Sequence, residues 1–266
     1  HQYGEYHWLG SLEEYMRATE LEQMLADYHA LYYLRTRSPS CSGSLYWPFN
    51  KGGMFIMVGA IDYGQRALMS YYLLCRLHRP VVCHLYRDID DIVLAVSNVA
   101  WAPARLRAVI RHCGADGRIL GEWESQGVAE YRAIARLARL EGYYASIGDR
   151  RREMLRAELW DGDKKVAEDN LFFCAWSEFE NPEAKLSLRA EKAPGGWTVE
   201  VATDALVKML SIESDANLLL DDNYFSMLPG ESRKISVRAL EAPGRPAELA
   251  VSPLDGGGAY RLTLPQ

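Results

Sequence analysis

Trp47 and Asn50 are the two side chains best suited to hold a ligand. Both lie in the stretch Ser40-Cys-Ser-Gly-Ser-Leu-Tyr-Trp-Pro-Phe-Asn50. An indole face can stack on the apolar face of a sugar ring, and a carboxamide a few residues on can hydrogen-bond a hydroxyl. Each has a plainer reading as well, Trp47 as a core tryptophan and Asn50 as a cap on the following loop. Other chemistry finds less support. His7 beside Trp8, and His78 with His84, lack metal-ligand spacing and read as core or solvated side chains. The five cysteines (Cys41, Cys75, Cys83, Cys113, Cys174) are odd in number and widely spaced, without a CxxC pair. They read as buried free thiols and not as a zinc site or a disulfide framework. No GxSxG nucleophile motif occurs, and Gly52-Gly53 lacks the Lys-Ser/Thr of a phosphate loop.

The elements that must position Trp47 and Asn50 follow from periodicity. Ser11-Leu-Glu-Glu14 is a capping box. Leu21, Met24, Leu25, Tyr28, Leu31 and Tyr32 then recur at helical spacing, which predicts a helix over about 12–37 closed by Pro39. Leu45, Tyr46, Trp47 and Phe49 predict a buried strand over 44–49, broken by Asn50-Lys-Gly-Gly53. A second helix is predicted over 65–77, ended by Arg79-Pro80. From Pro80 the period becomes two. Strands are expected at 81–86, 92–97, around Leu106–Ile110, at 119–123 after the Asp116-Gly117 turn, and around Leu155–Leu159 before Asp161-Gly162-Asp163. Residues 130–141 fit a helix or a strand. Further strands are expected at 186–190, 197–201, 206–212 and 235–239, with a last one near 260–264. The tail around Gly256–Gly258 reads as flexible. Short strands at this spacing suggest β-sandwiches.

Gly43-Ser-Leu-Tyr-Trp-Pro-Phe-Asn50, with Gln23 before it and Ile61-Asp-Tyr63 after it, resembles the last barrel strand of family 2 glycoside hydrolases, β-mannosidases above all. The run Asp221-Asp-Asn-Tyr-Phe-Ser-Met-Leu-Pro-Gly-Glu231 resembles the signature of the last immunoglobulin-like domain in that group. The resemblance implies a mainly β fold: the C-terminal tail of a (β/α)8 barrel at 1–78, an immunoglobulin-like β-sandwich at 79–181 and a second at 182–266 with a C-terminal tail. A closed barrel needs about 250 residues, so residues 1–78 could supply only its end. The implied activity is hydrolysis of terminal β-linked mannose with retention, through a glycosyl-enzyme and without metal or organic cofactor. In such enzymes the tryptophan of this strand serves the terminal-sugar subsite, which assigns substrate binding to Trp47 and Asn50.

Retaining hydrolysis takes two carboxyl groups about 5–5.5 Å apart. In the family both glutamates precede the tryptophan strand, and neither motif fits the residues before Ser40; Glu5, in Tyr3-Gly-Glu-Tyr6, matches neither. No catalytic residue is therefore assigned within this chain, and the chain alone is expected to be inactive. Ser177-Glu-Phe-Glu180 is similar to the S-E-F-G around a family nucleophile. It lies far downstream, however, and Glu180 replaces the glycine, so it reads as the connection between the sandwiches. After Asn50 the family continues with Asp and a tryptophan-containing loop, whereas Lys51-Gly-Gly-Met-Phe-Ile-Met57 stands here. The alternative is a non-catalytic sandwich module that binds carbohydrate or braces the barrel and an oligomer. Carbohydrate binding would need Trp123, Trp160, Trp176 or Trp197 exposed.

Composition fits this picture. At 266 residues, with 48% hydrophobic and 25% charged residues, the chain has the make-up of globular protein in two or three units. A net charge of −6 without a basic stripe argues against nucleic acid, and no apolar run approaches the roughly 20 residues that cross a bilayer. The expected partners are a carbohydrate substrate held through the parent barrel, the N-terminal remainder of the same enzyme, and further copies in a homo-oligomer. No signal peptide is visible and the cysteine pattern suits a reducing compartment, which favours a cytoplasmic location; a start at His1 leaves room for residues upstream.

Overall fold

The computed structural model describes residues 10–54, 56, 58–241, 247–255 and 258–265. Helix α1 spans Leu12–Arg35 and opens as its capping box predicts, with Ser11 Oγ accepting from the Glu14 amide at 3.1 Å. Glu14 reaches back one residue further than expected, to the Gly10 amide at 2.7 Å. The buried stripe is Ala18, Leu21, Met24, Leu25, Leu31 and Tyr32, close to the predicted face. The second helix, α2 (Met69–Leu77), starts four residues later than predicted, because Ala67 is taken into an antiparallel bridge with Ile61.

Residues 44–49 are not a strand. A strand is held by a neighbour's amides and carbonyls, and here backbone pairing begins only at Asn50, in an isolated parallel bridge to Ile61. Nor is this run buried as predicted: Leu45, Trp47 and Phe49 are exposed.

The chain divides into two compact units. The first takes the residues through Tyr46, Leu73–Gly114 and Arg118–Glu180; the second takes Trp47–Tyr72, Ala115–Gly117 and the residues from Asn181 on. In the first unit β1 (Val81–Asp88), β2 (Asp91–Asn98) and β5 (Ala133–Leu140) form one antiparallel sheet in the order β1-β2-β5. The segment that fitted helix or strand is thus a strand, paired to β2 from Ile92↔Leu140 to Asn98↔Ala133. The facing sheet is ordered β4-β3-β6-β7, with β3 Ala104–Gly114, β4 Ile119–Ala129, β6 Glu153–Asp161 and β7 Lys164–Phe172. Alternation sends Leu85, Ile92, Leu94 and Val96 against Leu106, Ala108, Ile110, Leu155, Ala157 and Leu159, which form the core.

The second unit has the same two-layer plan. One sheet is β11-β13-β9-β8 and the other β12-β10-β14-β15, built from β8 (Leu186–Ala193), β9 (Gly196–Thr203), β10 (Val207–Ser214), β11 (Leu218–Leu220), β12 (Phe225–Met227), β13 (Ser232–Ala239), β14 (Glu248–Pro253) and β15 (Tyr260–Thr263). Gly196 lets β9 pass close to β13: a Cβ there would lie 2.0 Å from the Val237 carbonyl oxygen. The fold is mainly β, in two sandwiches. Strands β7, β11, β12 and β14 were not read from the sequence, and the tail glycines 256 and 257 lie outside the described residues.

Candidate functional site

Trp47 is not a core residue. Its side chain is 84% exposed, so the indole face is open to a ligand. The chain beyond it is held by backbone pairing. The Phe49 carbonyl accepts from the amides of Ala60 (2.8 Å) and Ile61 (3.1 Å), and the Lys51 amide donates to the Ile61 carbonyl at 2.8 Å. Asp62 closes the far side of the loop, taking the Arg66 amide on Oδ1 and Arg66 Nε on Oδ2, each at 2.8 Å. Asn50 is exposed, and among the described residues its carboxamide caps no loop amide.

The residue before Trp47 is clamped to α1. Tyr46 Oη donates to Asp27 Oδ2 at 2.9 Å and accepts from Gln23 Nε2 at 2.6 Å. Gln23 and Asp27 are one helical turn apart and so share a face. The structure thus brings together Gln23 and Tyr46, two residues of the motif, and adds Asp27, which sequence reasoning missed.

The next residue of α1 makes a second anchor. Tyr28 Oη donates to both oxygens of Asp169 on β7, at 2.9 and 3.0 Å. The Leu85 amide (2.7 Å) and His84 Nδ1 (3.2 Å) reach the same carboxylate, and His84 stacks on Tyr32 with ring centroids 4.3 Å apart. Burial, followed by the Asp169 charge, pushes the Tyr28 phenol well above its ordinary pKa, so it stays a donor. This cluster also escaped sequence reasoning. Its signal was parity: Asp169 is in step with the buried Ala167 of β7, an acid on the inward face.

The remaining candidates take structural roles. Glu178 accepts the Ala175 amide at 3.3 Å in a short 3₁₀ turn, Trp176–Glu178. Glu180 is paired with Arg152 at 2.7 Å, and Phe179 is buried against Phe172. His78 is bonded to the Leu74 carbonyl, and no metal-binding group of His, Cys, Asp and Glu occurs among the described residues. Glu5, His7 and Trp8 lie outside them. The cysteines are free, but only Cys83 and Cys113 are buried; Cys41 and Cys174 are half-buried and Cys75 is exposed, because the helix and connecting segments carry them outside the sandwich cores. The four sandwich tryptophans are half-buried and none is among the exposed side chains. Trp123 packs edge-on to Tyr143 and Trp176 to Phe172, Arg107 covers Trp160, and Trp197 donates to the Pro265 carbonyl. No described helix is long and apolar enough to cross a membrane.

Comparison with known proteins places this arrangement. Residues 179–252 match the Ig-fold domain of the mannosidase type. No curated protein matches the chain. Among solved structures, the chain is similar to the β-D-mannosidase of Dictyoglomus thermophilum, with a TM-score of 0.81 at 18% identity over 90% of this chain and 29% of that one. It is also similar to the exo-chitosanase CsxA of Amycolatopsis orientalis, with a TM-score of 0.74 at 15% identity over 96% of this chain and 35% of that one. The chain therefore spans about a third of the length of these solved enzymes. It has the fold of the C-terminal part of a family 2 glycoside hydrolase, as the runs at 43–50 and 221–231 suggested.

Proposed function

We propose that this chain is the C-terminal segment of a retaining exo-β-glycosidase, most like β-mannosidase, whose earlier barrel strands supply both catalytic carboxyl groups. Trp47 stacks under the terminal sugar and Asn50 bonds one of its hydroxyls. The observation that carries the reading is the open indole of Trp47, directly after a tyrosine clamped by Gln23 and Asp27, in a chain with the fold of a β-mannosidase C-terminal part. Residues 1–78 are then the tail of the barrel, and its remainder is the partner they need.

In this scheme an upstream carboxylic acid protonates the leaving oxygen while an upstream carboxylate attacks the anomeric carbon. Water then releases the sugar with its configuration retained. This chain's part is to hold the ring in register, which acts through orientation. Protons and carboxyl groups suffice for every step, so no metal or organic cofactor is called for.

The test is release of aryl alcohol from aryl β-mannoside, β-glucosaminide, β-galactoside and β-glucuronide. The chain alone should release none. The longer enzyme should cleave one of them, and Trp47→Ala should raise its KM by roughly tenfold, the worth of about 1.4 kcal/mol of stacking. Turnover by the chain alone that vanishes on Glu178→Gln would sink the reading.

A further inference from the structure

The second sandwich holds a cavity of about 340 Å³ beside the ends of β10 and β14, and sites for small ligands run from roughly 300 to 1,000 Å³. Its walls come from that sandwich alone: the segment 181–184 before β8, residues 206–209, residues 253–255, Gly258 and Tyr260. Trp47 and Asn50 take no part in it.

The cavity is built around a charge that a sandwich interior would not otherwise hold. Lys208 is 3% exposed, and its Nζ reaches Asp255 Oδ2 at 2.5 Å. The β10–β14 ladder ends at Leu210↔Pro253, and just past it the Leu254 amide donates to the Met209 carbonyl at 2.8 Å. The two strands therefore hold Lys208 and Asp255 side by side. Against β12 the register of β10 shifts between Val207 and Leu210. Such irregularities re-aim a side chain, and they concentrate beside functional sites. Stability does not account for the pair, since hydrophobic residues of similar volume in its place are often neutral or stabilising. Another wall is fixed by Tyr260, whose Oη donates to the Ala184 carbonyl at 3.3 Å.

The lining selects the ligand. Among the described residues its charged groups are Lys208, Asp255 and Glu183, one cation against two carboxylates, so a phosphate or carboxylate ligand meets net repulsion. A cation would compete with Lys208 for Asp255. A zwitterion would have to part the two, which costs most where the dielectric is low. A trans secondary amide points its N–H and C=O in opposite directions and cannot address both members of the pair. Adjacent hydroxyls can. Each donates and accepts, so one meets the ammonium and its neighbour the carboxylate while the pair stays joined. Leu206, Met209 and Leu254 line the same cavity and suit the C–H face of a ring.

We propose that this cavity binds a neutral pyranose through two adjacent hydroxyls, one bonded to Lys208 and the other to Asp255. The site lies within the second sandwich and does not depend on the activity proposed above.

The test is a titration with methyl β-D-mannopyranoside and methyl β-D-glucopyranoside, followed by amide chemical shifts in NMR spectra. It is run on the Trp47→Ala chain, so that the Trp47 site cannot contribute. Saturable shifts are expected with at least one glycoside, centred on residues 181–184, 206–209 and 253–255. Cyclohexanol, a six-membered ring with one hydroxyl, should bind roughly tenfold more weakly, the worth of one hydrogen bond to a charged group. Lys208→Met combined with Asp255→Leu should weaken glycoside binding by at least about tenfold. Its urea unfolding should show no loss of stability, an outcome that a pair kept only for the fold would not give. Ala184→Phe keeps the pair and narrows the cavity; it should weaken binding as well, and it decides the matter if the double variant does not fold. The proposal is overturned by the absence of saturable shifts with both glycosides, by shifts centred elsewhere, or by equal binding of cyclohexanol. Undiminished binding in the folded double variant or in Ala184→Phe would overturn it too.

Discussion

Asn223 explains why a polar run is written into the second sandwich. Its side chain is buried, and it treats Ile212 of β10 as a neighbouring strand would: Nδ2 donates to the Ile212 carbonyl (2.8 Å) and Oδ1 accepts the Ile212 amide (2.9 Å). The end of the same run is a turn. The Glu231 amide donates to the Leu228 carbonyl at 3.0 Å, with Pro229 and Gly230 between them and Gly230 at φ +79, the geometry of a type II turn. Added side-chain bulk meets nothing within 4 Å at Gly230, so Gly230→Ala isolates backbone strain and should cost about 1–2 kcal/mol in urea unfolding. An unchanged midpoint would contradict the left-handed assignment. His112 gives a pH-dependent test. It is buried, with Nδ1 2.9 Å from Tyr143 Oη and Nε2 3.0 Å from Glu153 Oε2. Burial lowers its pKa below 6.5, with Glu153 opposing in part. The unfolded chain then takes up the proton first, so stability falls as pH drops from 6.5 toward the folded pKa. Melting temperature should decline across that window, and His112→Asn should flatten the slope, leaving what His29, also lowered by desolvation, contributes. An equal slope in the variant would exclude His112 as its source.

At the scale of the element, α1 is held through its polar residues as much as through its apolar stripe. Tyr28 ties it to Asp169, and Gln23 with Asp27 ties it to Tyr46. Tyr28→Phe removes a donor from a buried carboxylate, which retains the Leu85 amide and His84. A hydrogen bond to a charged group is worth about 1.5–3 kcal/mol, and the variant should lose about that much stability and exchange the amides of α1 faster. Unchanged exchange would show that the apolar stripe alone holds the helix. What the sequence made legible follows from the range of each signal. Helix α1 shows in its own capping box and apolar period, and the turn that ends β6 in Asp161-Gly162-Asp163, where Gly162 sits at φ +58. Both are local. Whether 133–140 is helix or strand depended on β2 offering an edge, and Asp169 turns inward because Tyr28 and Leu85 wait there. Residues 44–49 look like a strand in isolation, but among the described residues only the Phe49 carbonyl finds backbone partners, the amides of Ala60 and Ile61. Of the candidate site, Trp47 and Gln23 could be read from a motif, but Asp27 could not, since nothing in its own neighbourhood announces Tyr46.

For the whole molecule, the matched enzymes extend well beyond the portion this chain resembles, which covers 29% of one and 35% of another. If the barrel reading holds, side chains that face the rest of the barrel should be left bare here. Among the described residues between Trp47 and Val58 five large apolar side chains are exposed: Trp47, Phe49, Met54, Ile56 and Val58. Scattered singly such residues would mean little, but this density within one short segment is what interaction surfaces show. Burying apolar area is worth about 25 cal/mol per Å², so copies of the chain should bury these groups against one another when nothing else covers them. Sedimentation velocity should therefore show association rising with concentration. Phe49→Ser combined with Met54→Ser should shift the chain toward monomer without altering its circular dichroism, because neither residue contributes to a sandwich core. A monomer at every concentration would mean that the segment needs no cover, and the case for an absent barrel wall would lose its physical basis. Association unchanged by the double variant would place the contact on another surface and leave the role of this segment to the Trp47 experiment alone.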